Sequence, residues 1–166
     1  MVSLAVGLRR KQSRALQTGW SYSLLIALGS VVAVIAMQRA LITRDFSVSF
    51  VHDNGSSRTP RLFNVATMWS ALEGSILLWA LILAGFTVHV ARKFRRRLSD
   101  PVVGWALLTM FVVCGFFFLL MLGPANPFRT VDVPVGYDGP GPNPLLQEHL
   151  LMAFHPPMLY LGYVGF

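Results

Sequence analysis

Charged positions are missing from four long stretches of this chain. No Asp, Glu, Lys or Arg occurs from Ala15 to Gln38, from Pro101 to Phe128 or from Leu150 to Phe166, and Leu62 to Val90 holds one, Glu73. An α-helix needs about 20 apolar residues to cross a ~30 Å hydrocarbon core. The pattern therefore predicts an all-α membrane protein, a polytopic transmembrane helix bundle. Complete helices are expected over residues 15–42, 62–91 and 101–122, and the start of a further one over 150–166. That last run stops without cap, turn or charged flank, which reads as truncation inside a helix.

The connections have different characters. Residues 1–14 and 92–100 are basic segments, whereas 43–61 and 123–149 hold Arg and Asp in rough balance. Phe46-Ser-Val-Ser-Phe-Val51 alternates apolar and polar positions, which predicts a strand, and Asn54-Gly55 predicts a turn after it. Residues 123–149 include Gly123-Pro124, Pro127, Pro134, Gly136 and Gly139-Pro-Gly-Pro142. That composition cannot form a regular helix, and its apolar and aromatic residues predict ordered coil at a membrane surface.

Composition agrees with the pattern: 54% of residues are hydrophobic and 13% charged, against about 25% charged in a soluble domain. The net charge of +7 raises nucleic acid as a partner, but the positions exclude it. Arg9, Arg10, Lys11 and Arg14 precede the first apolar run, and Arg92, Lys93, Arg95, Arg96 and Arg97 lie between the second and third. Such clusters mark cytoplasmic flanks beside anionic lipid. The expected topology puts 1–14 and 92–100 in the cytoplasm and the 43–61 and 123–149 loops outside. The first run is longer than a signal-peptide core of about 7–15 residues, so it is read as a retained helix. Met1 to Leu8 is apolar but too short to span. Cys114, the lone cysteine, has no intrachain partner and reads as a small apolar filler.

Few residues in these runs carry chemistry. His155 stands in Phe154-His155-Pro156-Pro157-Met158-Leu159-Tyr160. Proline is tolerated in the first turn of a helix and pushes the preceding residue out of helical geometry. His155 is thus expected just before a helix start, on a stiff Pro-Pro base at the outer membrane edge. The adjacent helix dipole disfavours imidazolium, and neutral imidazole binds haem iron well. The plainer alternative is a helix-entry residue bonded to backbone. His149 follows Glu148, which either orients it or shares a solvated interfacial cluster with it. Glu73 is the lone acid within an apolar run, and intramembrane carboxylates mark functional or structural pairing. Four residues from Trp69, it is expected on the same helical face, with Gly74 admitting a close neighbour. His89, Trp79 and Trp105 fit interfacial or packing roles.

These residues bring a family into view. Trp69-x3-Glu73-Gly74-Ser75-x3-Trp79, Asn126-Pro127-Phe128, Asn143-Pro-Leu-Leu-Gln147 and the run Phe154 to Phe166 resemble the CcmF family of cytochrome c-type biogenesis proteins, and Asp45 to Val51 fits that family's first outer loop. The resemblance covers about Ala15 to Phe166. It implies a multi-pass protein of the bacterial inner membrane, or of the mitochondrial inner membrane in an organelle, with its working face toward the periplasm. It implies a haem lyase role: b-type haem arrives from the chaperone CcmE and is attached through thioethers to apocytochrome c presented by CcmH and CcmI. His155 matches the first of the family's two outer haem-ligating histidines, making it the expected cofactor-binding residue and axial iron ligand. Glu73, Trp69, His149 and Tyr160 are expected in support. The second histidine and the Trp-rich segment are not in this sequence. The chain is therefore expected to be a fragment or a split subunit, inactive without the remainder. No catalytic residue is assigned.

A transporter or channel subunit, with Glu73 on an ion or proton path, is the competing reading. A transporter places paired polar groups or broken helices near the midplane. Here the unusual residues crowd one surface, which favours a site at the outer face.

Overall fold

The computed structural model describes residues 5–8, 13–97, 100–147 and 150–165, and at 13–17, 146, 147 and 152 the backbone alone. The expectations for Arg9, Arg10, Lys11, Glu148 and His149 fall outside the described residues. Six α-helices follow residues 5–8, themselves helical: α1 Ser13–Thr43, α2 Ser49–Asn54, α3 Arg61–Ala66, α4 Leu72–Lys93, α5 Pro101–Leu122 and α6 Leu151–Gly165. Among the described residues no strand forms. The stretches Thr18–Thr43, Leu72–Lys93 and Pro101–Leu122 are long and apolar enough to cross a membrane.

Helix α4 is central, packing against α1, α5 and α6. The reason lies in its side chains. Gly74, Ala80, Ala84, Thr87 and Ala91 are buried along it with Leu77 and Leu83. Small residues let helix backbones approach closely where lipid supplies no hydrophobic drive for association. Helix α1 answers with Ser23 and Ser30, fully buried, whose hydroxyls donate back to the carbonyls of Trp20 (2.7 Å) and Ile26 (3.0 Å) and so cost no unmet hydrogen bond. Helix α5 starts on Asp100, whose Oδ1 accepts from the Val102 amide at 2.9 Å, with Pro101 in the first turn. It buries Val103, Leu107, Phe111 and Cys114, while Val102, Trp105, Phe116, Leu119 and Leu122 lie exposed. So broad an apolar surface suits hydrocarbon, not water.

Two sequence expectations are corrected here. The strand at 46–51 does not form. Val48 alone makes an antiparallel bridge, with Thr130, and the chain turns into α2 at Ser49. Phe50 and Val51 are consecutive and both buried. A strand would send them to opposite faces, whereas α2 tucks both into the core with Met37, Leu41 and Leu77. Asn54-Gly55 accordingly ends a helix: the Gly55 amide donates to the Val51 carbonyl at 2.7 Å.

The helix expected over 62–91 is broken. After α3 comes a tight 3-10 turn, Thr67–Trp69, and Ala71 is extended (φ −131°, ψ 165°) before α4 begins. Trp69 and Glu73 therefore do not share a continuous helical face. Gly74 makes the break possible: a Cβ there would collide with the Met68 carbonyl and the Phe50 ring. The close neighbour that Gly74 admits is thus the chain's own preceding turn.

Candidate functional site

At the end of the bundle that carries the 44–60 and 123–150 connections, two sequence motifs meet. Tyr160 Oη on α6 lies 3.2 Å from Ser75 Oγ on α4 and donates to it, and Ser75 Oγ donates to the Trp69 carbonyl at 3.1 Å. The Tyr160 ring packs on Trp79 with centroids 5.5 Å apart, and Trp79 packs on Phe117 of α5 at 5.9 Å. Ser75 and Trp79 are one turn apart, so one face of α4 holds α6 by a hydrogen bond and a ring contact together. Ser75 also caps the Trp69 carbonyl at the helix break, and the Thr67 carbonyl accepts both the Ser70 amide at 3.0 Å and the Ser70 hydroxyl at 2.8 Å. These carbonyls are closed within the protein rather than turned toward an ion.

His155 rides on α6. It is not before the helix, as the prolines suggest, but in its second turn, with Pro156 and Pro157 inside the helix. Their missing N–H groups leave the carbonyls four residues earlier, at 152 and 153, without the usual helical donors. The helix forms regardless because its inner face is held by α4. The side chain of His155 is exposed. Leu151 and Leu159, one turn to either side, are 66% and 39% exposed. An imidazole flanked by apolar side chains on one stripe is a surface on which a flat apolar ring can rest while its metal takes the nitrogen.

The expected supporting residues divide. Tyr160 and Trp69 belong to the network that seats α6. Trp69 is held through its carbonyl, and its Nε1 is buried without an acceptor. Glu73, half-buried, occupies the first turn of α4, where the helix dipole favours a negative charge. Among the described residues it has no hydrogen bond or ion pair. No metal-holding group of three or more His, Cys, Asp or Glu occurs among the described residues.

The two long connections form a clasp that sequence reasoning missed. The Ser57 amide and hydroxyl donate to the Asp138 carboxylate at 2.7 and 2.6 Å. These hydrogen bonds hold the Asp138 carboxyl below its ordinary value of 3.8. The Tyr137 ring stacks on His52 at 4.3 Å and its hydroxyl donates to the His52 carbonyl at 3.0 Å. Ser49 N donates to Arg129 O at 2.7 Å and Val131 N to Ser47 O at 2.9 Å. Gly139 packs against the Gly55 and His52 carbonyls, where no Cβ fits. The partners are about eighty residues apart in sequence, so no local pattern could announce them; the Gly-Pro density of 139–142 was the lone hint of a close approach.

Three apolar helices around a small-residue core, with a network joining two motifs at one end, define a multi-pass membrane protein. A family model described as "Cytochrome C assembly protein" matches residues 69–166, and the chain belongs to that family. It is 36% identical over 160 residues to the cytochrome c-type biogenesis protein CcmF of Escherichia coli (strain K12), covering 96% of this chain and 24% of that protein. The CcmF of Pseudomonas fluorescens is 42% identical over 127 residues, covering 76% and 19%. A solved structure of the cytochrome c haem lyase CcmF superposes with a TM-score of 0.81 at 31% identity, covering 98% of this chain and 25% of that one. The chain thus spans about a quarter of the length of the relatives it matches.

Proposed function

We propose that this chain is part of a cytochrome c haem lyase and that His155 holds haem, the substrate, at the outer membrane face while it is joined to apocytochrome c. Membership of the cytochrome c assembly family supports the general role. The observation that carries the residue assignment is the exposed His155 between two apolar neighbours, on a helix locked to α4 through Tyr160, Ser75 and Trp79. In this reading the connections at 44–60 and 123–150 face the periplasm of a bacterial inner membrane, and the basic run at 92–97 faces the cytoplasm. Haem comes from the chaperone CcmE, and the thiols of apocytochrome c come from its presenting partners. Haem supplies vinyl groups for thioether formation and an iron that takes the imidazole nitrogen. This chain's residues bind and orient: Leu151 and Leu159 cover part of one haem face, and the Tyr160 hydrogen bond limits rotation of α6.

The test uses the complete protein or the reassembled split complex. His155→Ala should lower haem content and Soret absorbance and stop cytochrome c maturation. His155→Cys or His155→Met should keep some haem with a changed spectrum, since thiolate and thioether also bind haem iron. His149→Ala should be much milder. Full haem content and maturation in His155→Ala, with both lost in His149→Ala, would show that the wrong histidine has been chosen.

A further inference from the structure

Helix α6 is held unevenly along its length. On the C-terminal side of its prolines, Tyr160 bonds to Ser75 at 3.2 Å and packs on Trp79. Gly165 lies so near the Phe86 ring that a Cβ there would stand 3.2 Å from its Cζ. Ser75, Trp79 and Phe86 all belong to α4. On the N-terminal side, the turn 151–155 carries Leu151 and Phe154, 66% and 51% exposed, and the exposed His155, while Ala153 is buried. An alanine buries little area and is easily withdrawn. The backbone is unlatched at the same place. An α-helix joins one turn to the next through N–H groups that donate four residues back. Residues 156 and 157, which would donate to the carbonyls at 152 and 153, are prolines. Met158 and Leu159 supply the remaining donors, to the carbonyls of Phe154 and His155. Each proline fixes its own φ at about −65°, so the pivot is stiff and the freedom lies in the turn before it.

We propose that the turn 151–155 is a hinged arm, and that its swing about Pro156 and Pro157 releases the haem that His155 holds. The proposal rests on the reading of His155 as the haem ligand and adds how that ligand lets go. The iron–nitrogen bond is short and directional, so an arm that tilts withdraws the nitrogen. The bond breaks with its electron pair left on the imidazole, and the iron keeps its oxidation state. A helix latched along its whole length would have to shift against α4 to do the same. Local opening draws on segments with few bonds and little buried surface, and on α6 that is the turn bearing His155. Haem is a substrate that must leave once it is joined, and release of product sets the pace of many enzymes. A ligand on a hinged arm serves turnover where a rigid one would retain the product.

The experiment uses the complete protein or the reassembled split complex. The double variant Pro156→Ala with Pro157→Ala returns both helical donors, and alanine favours helix, so the fold is kept. Amide hydrogen exchange is read first, without haem. In wild type Met158 and Leu159 should exchange several-fold faster than Gly162 and Val164, and in the variant that difference should close. Transfer of bound haem to apomyoglobin is then timed. The variant should release haem several-fold more slowly, with an unchanged Soret maximum. Equal protection of all four amides in wild type would overturn the proposal, as would release from the variant at the wild-type rate or faster. A shifted Soret maximum in the variant would also overturn it, by showing that the prolines set the geometry of the ligand rather than its movement. His155→Ala separates the two readings. Haem retained there sinks the ligand assignment, whereas the exchange pattern, read on haem-free protein, tests the hinge alone.

Discussion

Gly74 shows how much can rest on one missing methyl group. It lies between Glu73 and Ser75 in a motif whose serine seats α6, and its own task is to let the first turn of α4 abut the Met68 carbonyl. Gly74→Ala should therefore cost at least the ~1–3 kcal/mol typical of overpacking, because the obstructing atom is backbone and cannot swing aside. The expected result is a lower melting temperature of the purified protein and reduced haem content, with the iron spectrum of the remaining haem unchanged. A neutral Gly74→Ala would mean that the break does not need this contact. At the same scale His155 shows where a local rule yields. The preference of Pro for the first turn predicted the helix start correctly in kind but one turn late, since the contacts of α6 with α4 outweigh two lost backbone hydrogen bonds.

Among the elements, the two long connections behave as one unit although, among the described residues, neither contains a helix beyond α2 and short turns. Asp138 accepts both Ser57 donors across the clasp, and its carboxyl is held below 3.8. A group whose folded value is depressed stabilises above its unfolded value and loses that contribution as the pH falls through the folded one. The clasp should thus be unchanged from neutral pH to about pH 4 and weaken only in stronger acid. Asp138→Asn should loosen it at every pH, because an amide N–H then faces the Ser57 donors. Hydrogen exchange is the measurement, read at the Ser57 amide and at the Gly141 amide, which donates across the clasp to the Gly55 carbonyl at 3.0 Å. Equal protection in wild type and variant at pH 7 would count against the clasp.

For the whole molecule, the decisive issue is which way the bundle sits. Reporter fusions after Ser99 should read cytoplasmic and fusions near Tyr137 extracytoplasmic, because Arg92, Lys93, Arg95, Arg96 and Arg97 lie in one short connection while the other two are balanced. Opposite readings would remove the outer-face assignment of His155 and leave the fold untouched. That separation is useful, because the bundle is held by small-residue packing along α4 and not by its orientation.

The membrane-spanning helices were legible in the sequence because crossing hydrocarbon imposes a length and an absence of charge that each segment must satisfy alone. The motif residues Ser75, Trp79 and Tyr160 were legible as rare types in a familiar order, though what they do to one another was not. The break at Ala71, the helix in place of a strand at Ser49–Asn54, the helical seat of His155 and the Asp138–Ser57 clasp were decided by the tertiary structure. At the break, Gly74 meets both the Met68 carbonyl of the preceding turn and the distant Phe50 ring. In the other cases a contact distant in sequence overrode a local preference: Phe50 and Val51 within the core of Met37, Leu41 and Leu77, α4 against α6, one loop against the other. Local propensities differ by about 1 kcal/mol or less for ordinary residues, so a few buried contacts suffice to reverse them.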